Sequence, residues 1–133
     1  MSYLLDTNVL STHFRHPAGL AHYFFQYSGR LYVSSVTLAE LFVWAHRRPD
    51  PTSLLNGIDE LLHREVGVLD FDRDCAAVFG RVRVELWRTG LNVPSAHLMI
   101  ASVALVYDLT LVTHNLVDFQ AIPGLRLDDW LKP

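Results

Sequence analysis

The sequence predicts an α/β protein: a three-layer α/β/α sandwich around a central, mainly parallel sheet of four to five strands. Short runs of β-favouring residues alternate with stretches of helical period along the whole chain, the pattern of successive βαβ units. Half of the 133 residues are apolar, enough for a core on both faces of a sheet. No internal repeat, linker or low-complexity stretch divides the chain, so residues 1–133 are expected to form one domain.

The elements follow in order. Residues 2–5 read as a first strand that ends on Asp6. Thr7 or Asn8 is expected to cap a helix over Val9 to Phe14, since both side chains accept from free first-turn amides. Pro17 and Gly19 break it, and a short helix follows from Leu20 to Tyr27, ended by Ser28-Gly29. Leu31 to Ser34 is a second strand. Val36 to Ala45 is a helix in which Glu40 is the lone charge, with Val36, Ala39, Val43 and Trp44 at helical offsets around it. Arg47-Arg48-Pro49 closes it and Asp50-Pro51 turns the chain. Leu54, Leu55, Ile58, Leu61 and Leu62 make one apolar stripe over residues 52–64.

Val66 to Phe71 is a third strand. Asp72 or Asp74 caps a helix from Arg73 to Arg88, whose buried stripe is Cys75, Phe79, Val82 and Leu86 and whose end is Gly90. After a turn at Pro94, Ala96 to Tyr107 forms a strongly apolar helix, polar only at His97 and Ser102 before its last residue. Leu109 to Val112 is a fourth strand, Asp118-Phe119 lies in a loop or short helix, and Leu125 to Leu127 is a short edge strand after Pro123-Gly124.

Composition narrows the classes. One cysteine, Cys75, leaves no internal disulfide, in keeping with a reducing cytosol. The longest nearly apolar run, Leu98 to Tyr107, falls short of the about 20 residues that span a bilayer. The N-terminus reaches a charge by Asp6 and lacks the layout of a signal peptide. A cytoplasmic protein with no membrane segment is expected. The formal net charge of -3 offers no overall basic surface for nucleic acid, but acids clustered in a site distort that reading, because bound divalent cations reverse the local field.

The chemistry gathers at one sheet edge. In open parallel sheets, ligands bind outside the carboxyl ends of the strands. Asp6 ends the first strand, Glu40 opens the helix after the second, and Asp118 follows the fourth. Three carboxylates in one cleft repel each other and resist desolvation; a hard, oxygen-preferring cation such as Mg²⁺ or Mn²⁺ relieves both. Taken singly, Asp6 also reads as a helix cap, Glu40 as a solvent-facing acid or a partner of Arg47 or Arg48, and Asp118 as a plain loop acid.

These motifs carry a resemblance. Leu4-Leu5-Asp6-Thr7-Asn8-Val9-Leu10 resembles the opening of VapC-type PIN-domain ribonucleases, the toxins of bacterial toxin–antitoxin pairs. Ser34 to Leu41 is similar to their second acidic motif, and Leu111 to Phe119 to their last, over nearly the full chain and in matching order. The resemblance implies a PIN-like fold and a metal-dependent endoribonuclease acting on RNA. It matches Asp6, Glu40 and Asp118 to three members of an acidic quartet that uses Mg²⁺ or Mn²⁺. It matches Thr7, Asn8, Thr113 and Asn115 to the polar residues that support metal and water, as groups that orient ligands do. A cognate antitoxin and a homodimer are implied as partners. Phe24, Phe25, Tyr27, Phe42, Val43 and Trp44 offer aromatic and apolar material for such contacts, with a core role equally open for Phe42 and Val43.

The fourth acid is absent. The family places it three residues before an Ile-Ala pair; counting back from Ile100-Ala101 gives His97, and no acid lies between Leu91 and Tyr107. In the first turn of a helix the dipole disfavours an imidazolium. His97 is therefore read either as a neutral metal ligand, which favours softer ions such as Mn²⁺ or Zn²⁺, or as a bystander that fills space or bonds a carboxylate. The same change motivates a second function: a catalytically weakened PIN domain acting mainly as an RNA- or protein-binding module. A third class, phosphoryl transfer on a similar sheet, lacks its residues. A dehalogenase-like phosphatase has a second acid where this chain has Asn8, and that group and receiver domains use a lysine near the last strands, whereas the lone lysine is Lys132. Arg15, and Arg81 and Arg88 at i, i+7, are candidate contacts to the RNA backbone. His13, His16, His22, His46 and His63 read as surface or interface residues.

Overall fold

The computed structural model describes residues 1–131; Lys132, on which one exclusion above rests, and Pro133 lie outside it. Five strands form one sheet: β1 (Tyr3–Leu5), β2 (Leu31–Ser34), β3 (Gly67–Leu69), β4 (Thr110–Val112) and β5 (Leu127–Asp128). Their order is β3-β2-β1-β4-β5 and every pairing is parallel. The helices are α1 (Thr7–Arg15), α2 (Pro17–Gln26), α3 (Ser35–His46), α4 (Thr52–Arg64), α5 (Arg73–Arg88), α6 (Ser95–Val106) and α7 (Leu116–Phe119).

Strand alternation divides the interior into two cores. Tyr3, Leu5, Leu31, Val33 and Val112 face one side, where they meet Val9 and Leu10 of α1, Leu20 and Phe24 of α2, Leu41 and Ala45 of α3, and Ile58 and Leu61 of α4. Leu4 and Leu111 face the other side, against Val82 and Leu86 of α5, Leu98, Ile100 and Val103 of α6, and Phe119 of α7. Both faces of the sheet are thus covered, as parallel sheets require, and the expected three layers are present. Gly57 lets α4 close on α1: a Cβ there would stand 3.3 Å from the Phe14 ring.

Several expected limits match: Leu31–Ser34, Thr52–Arg64 and Arg73–Arg88 form the expected strand and helices, and Asp72 caps the last through the Cys75 N–H. Other limits move for local reasons. α1 begins at Thr7 because Asp6, rather than Thr7 or Asn8, is its cap. α2 begins at Pro17, whose fixed φ suits a first helical turn. The edge strand shifts to Leu127–Asp128, where it pairs with Leu111 and Val112. On α5, Arg83 joins the buried face. It donates to the Val93 carbonyl and to Ser95 Oγ (3.1 Å), clamping the loop that leads into α6. The core role left open for Phe42 and Val43 is excluded, since they are 38% and 59% exposed. His13 is not a simple surface residue. Its ring stacks on Phe24 at 4.1 Å and its buried Nδ1 has no hydrogen-bond partner.

Candidate active site

Sheet order reverses between β2 and β4 on either side of β1, so the carboxyl ends of β1 and β4 flank a topological switch point. Asp6 follows β1 and Thr113 follows β4, and both are buried. The Thr113 hydroxyl donates to Asp6 Oδ2 (2.7 Å), and the Thr7 N–H donates to Oδ1 (2.8 Å). Thr113 Oγ in turn accepts from the Asn115 N–H (3.0 Å). Burial holds the Asp6 carboxyl above its ordinary value; these two bonds and nearby His97 pull it down, while Glu40 adds to the rise.

The other groups stand around this floor. Glu40, half-buried on α3, accepts from the Thr7 hydroxyl. Thr7 Oγ also lies 3.4 Å from Thr37 Oγ. Asp118, on α7, accepts at Oδ2 from Asn115 Nδ2 (2.9 Å). His97, in the first turn of α6, brings Nδ1 to 2.9 Å from the same Oδ2, with its ring 5.2 Å from that of Phe119. That approach is close but misaligned, so Nδ1 has no acceptable hydrogen bond. The two groups are neighbours without a formed bond between them.

The structure therefore brings Asp6, Glu40, Asp118, His97, Thr113 and Asn115 to one edge, in two linked sets: Asp6 with Thr113, Thr7 and Glu40, and Asp118 with Asn115 and His97. Asn8, the second residue of α1, joins neither set; its buried Oδ1 has no hydrogen-bond partner. Sequence reasoning missed Thr37, whose signal is its place three residues before Glu40 on one helix face. Arg81 pairs with Glu85 on the surface of α5.

Donor type fits a hard cation: carboxylates, an amide oxygen on Asn8 left without a donor, and an acid whose pKa is raised by its own burial. Among the described residues, however, no three His, Cys, Asp or Glu side chains stand close enough to hold a metal as they are. Glu40 and Asp118 are instead retained by Thr7 and Asn115.

Comparison with known proteins decides the family. The PIN-domain model matches residues 3–125. The tRNA(fMet)-specific endonuclease VapC of Shigella flexneri is 36% identical over 131 residues, 98% of each chain. Ribonuclease VapC2 of Haemophilus influenzae is 33% identical, covering 98% of this chain and 99% of its own.

The chain belongs to the VapC group of PIN domains.

Solved PIN domains agree on the fold. The chain superposes on DNA-bound VapBC from Salmonella typhimurium with a TM-score of 0.92 at 34% identity, covering 98% of both chains. It superposes on VapBC-1 from nontypeable Haemophilus influenzae with a TM-score of 0.88 at 29% identity, covering 99% of this chain. As a PIN domain it has five strands, all parallel, where a mainly parallel sheet of four to five was expected, with Asp6 at the switch point.

Proposed function

We infer that this PIN domain is an endoribonuclease, the toxin of a toxin–antitoxin pair, and that it works with a divalent metal, Mg²⁺ or alternatively Mn²⁺. The observation that carries the reading is Asp6: a buried carboxylate at the switch point, raised in pKa by burial and held by Thr113 and Thr7. Near-full-length VapC relatives support the activity, and the VapBC complexes support an antitoxin partner and a dimer. Phe25, 87% exposed beside the hollow lined by His13 and Phe24, offers apolar surface for a protein partner. Among the described residues no helix is long and apolar enough to cross a membrane; the cytoplasm is proposed because the RNA substrate is there.

Asp6, Glu40 and Asp118, with His97 beside them, would hold the ion. Bound there, it supplies an activated water and charge stabilisation at the phosphate. The chain's own groups set the stage. Thr113 and the Thr7 amide fix both oxygens of Asp6, Thr7 Oγ orients Glu40, and Asn115 Nδ2 orients Asp118. The test is RNA cleavage with Mg²⁺ or Mn²⁺ by the unsubstituted chain and Asp6→Asn. Equal cleavage by both rejects the assignment.

The contact of His97 with Asp118 favours a second reading, a weakened site that acts mainly by binding. His97→Asp separates the two. A large gain in cleavage identifies a degenerate site, and a loss gives His97 a role of its own.

A further inference from the structure

Helix α3 carries Glu40 and, four residues on, Trp44, a spacing that places both on one side of the helix. Glu40, Val43, Trp44 and Arg47 line one hollow of about 260 Å³. Trp44 is also a wall of a second hollow, about 310 Å³, shared with Phe14, Arg15, Arg48 and Asp50. The indole thus divides two adjoining depressions, the first of which opens on an acid of the candidate active site.

The platform is anchored and positively charged. Trp44 is half-buried, with its ring 6.2 Å from that of Phe14. The Arg48 and Arg15 guanidinium carbons lie 5.0 and 6.0 Å from the indole centre, within cation–π range. Among the described residues, Arg15, Arg47 and Arg48 form no ion pair with a carboxylate. Asp50, the acid of the second hollow, accepts from the Thr52 N–H (3.1 Å). A chain of net charge -3 with an acidic site repels a polyanion. Holding a strand beside those acids takes unpaired cations and a face on which a base can lie. Arginine–aromatic surfaces supply both to single strands without reading their sequence.

We propose that Trp44, with Arg15, Arg47 and Arg48 around it, is a subsite that stacks one nucleotide of a single-stranded RNA and holds its neighbouring phosphates next to the acids. It rests on the ribonuclease reading above and names where that substrate is gripped. On binding, a guanidinium turns from the indole to a phosphate, and the base takes the face it leaves.

The test titrates a labelled single-stranded oligoribonucleotide into the Asp6→Asn protein at several salt concentrations, so that binding is read without cleavage. Adding Trp44→Ala weakens binding by about 5- to 150-fold, the range for losing one stacked base, and Trp44→Phe retains most of it. Arg48→Gln or Arg15→Gln lowers the slope of log affinity against log salt by about 0.7 for each phosphate left without its cation. Trp44 packs on Phe14, so the arginine variants, which lie at the surface, keep the test valid if Trp44→Ala fails to fold. Unchanged affinity and salt slope in these variants overturn the proposal. Unchanged RNA binding with loss of a protein partner's binding overturns it too, and identifies a protein-docking face. Failure of the ribonuclease reading looks different: the unsubstituted chain leaves RNA uncut with either metal, while Trp44-dependent binding still upholds the subsite.

Discussion

The floor and the rim of the candidate active site are built in opposite ways. The floor, Asp6 and Thr113, comes from the tips of two adjacent central strands. It is buried and each Asp6 oxygen has a donor. The rim, Glu40, His97 and Asp118, comes from three helices, is partly exposed, and is held by single side-chain contacts. The difference shows where the cost of the site is carried. Desolvated charge is stored at one rigid residue, while the groups that must adjust to a ligand stay at the wetter edge.

The sharpest way to break that contrast is Asp6→Asn. Cleavage should fall by more than the ~10–100-fold typical of groups that only support a ligand, and the cost to the fold should depend on pH. Burial raises the Asp6 pKa, so the protonated form is the one the fold prefers. Its contribution is complete below the unfolded carboxylate value, about 4, and is lost as pH rises through the higher folded value. Melting in chelator should therefore show the stability of the Asp6→Asn protein, relative to the unsubstituted chain, rising from acid to neutral pH.

Next in size is Thr113→Val against Asn115→Ala. Thr113→Val removes a buried donor to Asp6 and should lower cleavage about 10–100-fold, with a stability loss of about 1–3 kcal/mol in denaturant titration. Asn115→Ala acts on the rim acid and should cost less on both counts. Equal losses would erase the distinction between floor and rim.

Arg83→Met probes the rim from a distance. It leaves the Val93 carbonyl without its donor in the loop before His97 and should destabilise by about 1–3 kcal/mol, with a smaller loss of cleavage than Thr113→Val. The smallest effect is expected away from the site, at Tyr107→Phe. The Tyr107 hydroxyl holds the exposed Asp72 carboxyl down at about 2 and is itself pushed up to about 12. A depressed acid stabilises above its unfolded value and loses that contribution as pH falls toward about 2. The melting difference between Tyr107→Phe and the unsubstituted chain should therefore be small at neutral pH and close in strong acid.

The order of the elements and the type of all but α7, left open as a loop or short helix, were legible in the chain, as were the strand-tip position of Asp6 and the histidine at 97. Apolar periodicity, Pro, Gly and cap residues act over a few positions, so Thr52–Arg64 and Arg73–Arg88 could be delimited from local signals alone. Desolvation and side-chain pairing are not local. Thr113 lies 107 residues from the carboxylate it serves. The burial of Arg83 and the exposure of Phe42 and Val43 depend on which helix faces which. By itself the sequence determined which acids reach the carboxyl edge of the sheet. Only the tertiary structure decided that Asp6 is the buried one, that His97 rests against Asp118, and that Trp44 stands among arginines without an ion pair among the described residues, because each depends on how distant segments exclude water from one another.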